Sequence, residues 1–278
     1  MQRKRELLLD TNACAKLVDN YWTDLASIVK QINREFRVVV SPTTFIELLN
    51  GVINGRAEYF ENDKEKFRVM AGTREIKVLL PPTSYALKTV LGLHVSSPAL
   101  RPSEFRRQIG IVLHARTREQ LETGVKTPQD WRNSRTRLHA GIHRAKHQEG
   151  VAGHNNLMQH VREGSVRFPT QEGFARGLAK NHGYTLDDDQ TQRFAQALDA
   201  VYQHDKILNQ RVRYDKYNFE KQQGDWIDGG QLIYLSDPAL CILTDDKKLR
   251  GRVEKSTQKD RLLLLREFLK VRKFPLRH

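Results

Sequence analysis

The chain has 278 residues, 47 of them Lys or Arg against 33 Asp or Glu, for a formal net charge of +14. That length supports one large or two small domains with a proper core, and 38% apolar residues is too many for a disordered polymer. Two cysteines, Cys14 and Cys241, exclude a disulfide framework, and the absence of a long apolar run excludes a membrane span.

The opening segment has only a three-residue apolar run before charge returns, too short for a signal peptide, so a cytoplasmic protein with no membrane partner is expected. Each cysteine reads as a small core residue rather than a nucleophile.

In chain order, Glu6–Leu9 reads as a strand ending in Asp10, with Thr11 and Asn12 as capping residues for the helix after them. Arg37–Val40 is a β-branched strand. Ser41 as N-cap and Pro42 at the first helical position then open a helix that carries Glu47. Arg74–Leu80 reads as an edge strand stopped by Pro81 and Pro82, with a helix over Ser84–Leu93. Residues 95–221 form a span longer than any ordinary loop, so they must carry structure of their own. Helical composition covers Phe105–Glu122, Trp131–Gln148 and Asp187 to about Lys221, as an inserted helical subdomain or a set of extra helices.

From Trp226 to Leu235 apolar residues surround nearly the whole helix, the pattern of a buried one, with Asp225 and Asp228 on one face at its start. Cys241–Thr244 is a short buried strand of parallel type that ends in Asp245 and Asp246. A last strand after Asp260 leads into a short helix.

Charge is unevenly distributed: 15 basic against 7 acidic residues over 101–180, 6 against 12 over 181–246, and 12 against 3 over 247–278. Two basic regions flanking an acidic one suit a polyanion held against a carboxylate cluster. Within the first, His139, His143 and His147 recur every four residues, a spacing that stacks them on one side of a helix. That side could suit a metal, but Arg132, Arg135 and Lys146 lie close to it and a field of arginines opposes a cation, so a phosphate-contacting helix with Arg132, Arg135 and Arg144, or an ordinary solvated basic one, is the expectation. Asp187–Asp189 read as helix capping, and His204-Asp205 as solvated helix surface.

If the strands are parallel neighbours, Asp10, Glu47, Asp228 and Asp246 converge at one end of one sheet, where ligands of α/β folds bind. Converging carboxylates repel unless cations lie between them, which points to Mg²⁺ or Mn²⁺ on oxygen ligands. Taken singly, Asp10 could be a helix cap, Asp225 and Asp228 favourable charges at a helix start, and Asp245 and Asp246 a turn. Glu47 falls opposite the apolar stripe Phe45, Leu48, Leu49, Val52 and Ile53, so solvated surface also accounts for it.

Leu7–Asn12, the helix carrying Glu47, Asp228 opening an apolar helix, and Thr244–Leu249 resemble the four acidic motifs of PIN-domain ribonucleases, of bacterial toxin type or a related stand-alone nuclease. The resemblance spans roughly residues 5–92 and 222–270. It implies a discontinuous catalytic core over 1–94 and 222–278, closed around a helical insertion at 95–221. The core would be a three-layer α/β/α fold with a mostly parallel five-stranded sheet in the order 3-2-1-4-5.

By the same resemblance Asp10, Glu47, Asp228 and Asp246 would hold one or two Mg²⁺ or Mn²⁺ ions for hydrolysis of RNA to 5′-phosphate and 3′-hydroxyl ends. Asp225 competes with Asp228, and Asp245 with Asp246, the Thr-x-Asp-x-x-Leu spacing favouring Asp246. Thr11, Asn12 and Thr244 are candidates to orient carboxylates, water or phosphate. Partners would be RNA, an antitoxin protein or a second copy of the chain. A structure-specific DNA nuclease with the same site, or a non-catalytic RNA-binding module, are the alternatives.

Overall fold

Strands buried on both faces read as continuous apolar runs, and Leu7–Leu9, Val38–Val40 and Leu240–Leu243 are such runs. The structure, a computed structural model, describes residues 4–71, 77–95, 102–122, 152–153, 156, 159–164, 167–213, 225–272 and 274. Its principal elements are β1 (Arg5–Leu9), α1 (Thr11–Tyr21), α2 (Leu25–Glu35), β2 (Phe36–Val40), α3 (Pro42–Asn54), α4 (Phe60–Ala71), β3 (Lys77–Val78), α5 (Pro82–Leu91), α6 (Pro102–His114) and α7 (Glu119–Glu122). They continue with α8 (Gln171–Lys180), α9 (Asp188–Ala197), α10 (Asp199–Arg213), α11 (Asp225–Leu232), β4 (Leu240–Thr244), α12 (Lys247–Arg252), β5 (Leu262–Leu264) and α13 (Leu265–Val271). The five strands make one all-parallel sheet in the order β3-β2-β1-β4-β5. Leu7 sits between Val38 and Cys241, and Ile242 faces Leu262.

Side chains alternate across the sheet and each face is covered by helices. Leu7, Leu9, Val38, Val40, Cys241 and Leu243 pack with α1–α4, α6 and α13, where the rings of Phe45 and Phe67 lie 5.4 Å apart. Leu8, Val39, Leu240 and Ile242 pack with α5, α8–α10 and the segment Leu232–Leu235. Each fully buried leucine contributes about 1.5–3 kcal/mol by leaving water, and Leu7–Leu9 of the central strand β1 are all buried.

The described helices of the 95–221 span share these two cores. Ile109 and Val112 of α6 join the first, and Ala179, Phe194 and Val201 of α8–α10 join the second. The helix expected over Phe105–Glu122 breaks at Ala115, whose carbonyl accepts from the buried Lys64 Nζ at 2.7 Å, while Arg118 Nε donates to Val52 O at 2.9 Å. The helix expected from Asp187 is instead two helices, α9 and α10. Gln258 holds the break by accepting from Ala200 N at 2.9 Å and donating to Ala197 O at 2.7 Å. Asp187 itself closes a capping box with Gln190, as its position before a helix implies.

Within the described part of the expected edge strand, Lys77–Val78 pair with the sheet, and Leu79 N adds a bond to Val40 O at 2.9 Å. Residues 74–76, the Trp131–Gln148 helix with Arg132, Arg135, Arg144 and its histidines, residues 214–224 and the Trp226 side chain lie outside the described residues. Among the described residues no helix is long and apolar enough to cross a membrane.

Candidate functional site

All five strands run the same way, so the residues that follow them collect at one edge of the sheet. Asp10 follows β1 and caps α1: its Oδ1 accepts from Ala13 N at 2.6 Å. The capping role thus falls to Asp10 itself rather than to Thr11 or Asn12. Asp246 follows β4 and caps α12, its Oδ1 accepting from Lys248 N at 2.6 Å and Leu249 N at 3.0 Å. Between them stands the fully buried Thr244, whose Oγ1 accepts from Asp246 N at 3.0 Å and whose side chain hydrogen-bonds the Asp10 carboxylate.

Ser41 caps α3 by accepting from Thr44 N at 3.0 Å, which sets the start of the helix carrying Glu47. Thr11 Oγ1 donates to Glu47 Oε2. Glu47 is therefore not solvated surface. The flank of α3 opposite the apolar stripe meets Thr11 and the cleft that Asp10 and Asn12 also line.

The fourth wall is α11. Ile227, Asp228 and Gln231 face a cleft of about 320 Å³ whose other lining residues are Asp10, Thr11, Asn12, Glu47, Ile242, Asp246 and Leu249. Asn12 is exposed at its mouth. Gln231 Nε2 donates to Thr44 Oγ1 at 3.0 Å, leaving its carbonyl Oε1 buried without a partner. Nothing in the sequence reading selected Gln231, although it lies three residues after Asp228 and so on the same helix face.

Asp225 goes elsewhere. Its Oδ1 accepts from Arg252 Nη1 at 2.6 Å in the interior, and it does not line the cleft. Arg252 Nη1 also lies 3.2 Å from His204 Nε2, and His204 Nδ1 lies 2.9 Å from Asp205 Oδ1. His204 is 0% exposed, which corrects the expectation of solvated surface for this pair. Its partner Arg252 is distant in sequence, so no local pattern announced it. Asp245 is half-buried and outside the cleft's lining, so Asp246 alone of that pair faces the other acids.

The electrostatics follow from this crowding. Burial pushes the Asp10 carboxyl up to about 7, against the hydrogen bonds from Thr244 and Ala13 and with help from the charges of Glu47 and Asp246. Burial likewise pushes Asp228 up to about 7, aided by Asp246, Asp10 and Asp225 and opposed by Arg252. Glu47 is raised by burial against its bond from Thr11.

The donor set is oxygen only, four carboxylates and one unpartnered amide carbonyl, which suits a hard divalent cation better than a softer metal that favours nitrogen or sulfur. Among the described residues, no three His, Cys, Asp or Glu side chains are drawn together as a finished ligand set. The acids share a cleft without yet closing on a point. No family model, curated protein or solved structure matches the chain.

Proposed function

We propose that this protein is a metal-dependent endoribonuclease. The reading rests on one observation: Asp10, Glu47, Asp228 and Asp246, from four separate elements, line a single cleft at the carboxyl edge of a parallel sheet. Two of those acids, Asp10 and Asp228, are driven up to about 7 by burial and by the charges of neighbouring acids, a cost in the free protein that a divalent cation relieves. Asp10, Glu47, Asp228 and Asp246 would hold the ion, with Gln231 Oε1 as a further oxygen at the cleft wall. When bound, Mg²⁺ or Mn²⁺ lowers the pKa of water and offsets charge on a phosphodiester.

The chain's own residues do the rest. Thr11 fixes the Glu47 carboxylate, Thr244 fixes Asp10 and the Asp246 backbone, and the two helix caps hold Asp10 and Asp246 in place through backbone amides. Ile227, Ile242 and Leu249 add apolar surface to the cleft lining. Both the resemblance to PIN-domain nucleases and the excess of basic residues over 101–180 and 247–278 favour a nucleic-acid substrate.

The test is incubation of the full chain with total RNA, and in parallel with structured DNA, in Mg²⁺, Mn²⁺ or EDTA, with the cut ends mapped. RNA cleavage that stops on chelation, returns with Mn²⁺ and leaves 5′-phosphates is the expected result. Metal should also raise the melting temperature, because the site exists only in the folded state. Cleavage that survives thorough chelation overturns the proposal, and cleavage of DNA alone transfers it to a DNA nuclease.

A further inference from the structure

One buried line of polar side chains connects the helical segment at α10 to the two helices that bear Asp228 and Asp246. An arginine nitrogen only donates, so the contact of Arg252 Nη1 makes His204 Nε2 an acceptor and leaves the ring's Nδ1–H to donate to Asp205 Oδ1. The same Nη1 donates to Asp225 Oδ1, the first residue of α11. The other Asp225 oxygen and Arg252 Nε are buried without a partner, so this one contact carries the pair.

The placement along each helix gives the line its consequence. Arg252 is the last residue of α12, whose N-cap is Asp246. Asp225 stands one turn before Asp228 on α11. Immediately after Asp228 comes Gly229, where an added Cβ would stand 3.2 Å from both Asp205 Oδ1 and His204 Nδ1. Helix α10 therefore bears directly on the α11 backbone at the cleft acid. A buried ion pair is seldom more stabilising than an apolar replacement of the same shape, so stability alone gives little reason for a charge-paired arginine and a histidine here.

We infer that Arg252 and His204 are positioning residues: acting through Asp225 and braced by Asp205, they fix the spacing of Asp228 against Asp246 and thereby set the affinity of the cleft for its divalent cation. This rests on the nuclease reading above.

The experiment uses the full chain with Mn²⁺ alone, its free concentration followed by electron paramagnetic resonance, and records the metal-free melting temperature separately. His204→Leu should weaken Mn²⁺ binding about tenfold, the low end for loss of an outer-shell partner. His204→Gln, whose amide can accept from Arg252 and donate to Asp205, should recover most of that loss. Asp205→Ala, at the partly exposed end of the line, should weaken binding while melting like the unaltered protein, and it carries the test if His204→Leu does not fold. Unchanged Mn²⁺ affinity in Asp205→Ala, or in a folded His204→Leu, overturns the brace and leaves the nuclease reading standing. An unaltered chain that binds no Mn²⁺ overturns both.

Discussion

The backbone amide of Asp10 donates to the carbonyl of Leu243 at 3.0 Å, so the first acid after β1 is pinned to the end of β4, the strand that leads to Asp246. Two carboxylates from opposite halves of the chain are held side by side by main-chain geometry that no side-chain substitution removes. An Asp10 variant that keeps the helix cap should therefore report on the carboxylate and not on the fold.

Asp10→Asn keeps an oxygen able to accept from Ala13 N, and Asn caps helices as well as Asp. It should abolish cleavage while the metal-free melting temperature holds or rises, because one repelling charge is gone. Asp10→Ala loses the cap as well and should be less stable than Asp10→Asn by about 1 kcal/mol. Urea unfolding of the two variants in EDTA measures the difference, and equal stability would count against the cap.

With Asp10 and Asp228 both raised to about 7 in the folded state, from 3.8, the folded chain binds more protons than the unfolded one between those limits. Stability then falls as pH rises. The contribution is fully present below pH 3.8 and gone once pH passes about 7. Metal-free protein should be more stable at pH 5.5 than at pH 8 by about 4 kcal/mol, roughly 2 from each carboxyl, and Asp10→Asn should about halve that slope. Mn²⁺ affinity should move the opposite way and climb toward pH 8, because the ion displaces those protons. A metal-free stability that rises over this range contradicts the assigned shifts.

Asp225 and Asp228 are one turn apart and should respond in opposite directions. Asp228→Asn relieves repulsion and should leave metal-free stability equal or higher. Asp225→Asn strands the buried Arg252 without its counter-charge and should cost about 3–5 kcal/mol. Calorimetry in EDTA separates the two, and the reverse order would reassign the cleft acid to Asp225.

Replacing Arg132, Arg135 and Arg144 together by Ala should weaken RNA binding across sequences. It should also flatten the slope of log K against log salt by about two to three if each contacts one phosphate. Metal-induced stabilisation should persist in this variant. An unaltered salt slope would mean that these arginines are solvated surface, and the basic stretch from Lys247 would be the next to test.

The strands were legible because burial on both faces leaves a run of apolar residues that needs no partner to be recognised, as in Val38–Val40 or Leu240–Leu243. Helix starts were equally local: Ser41-Pro42 and Asp187 announce their caps within four residues. What escaped was long-range. Glu47 is selected by its place among strand-linked acids and not by its own helix, whose apolar stripe alone leaves solvated surface open, because a helical wheel knows nothing of the strand ends beside it. His204 looked solvated because its partner Arg252 lies far along the chain. The assignment between Asp225 and Asp228 depended on that same arginine, so it too became readable only when α10, α11 and α12 were seen together.

The strand order also sets a timetable. Strand β2 follows β1 closely in the chain whereas β4 comes near its end, so one edge of β1 has its partner synthesised early and the other only late. At ordinary elongation rates that leaves an apolar strand edge uncovered for on the order of ten seconds or more. Throughout that interval Asp10 and Glu47 exist without Asp228 and Asp246, so a nascent chain carries half a site. Any activity that needs all four acids would therefore begin only after the second half of the chain has been synthesised.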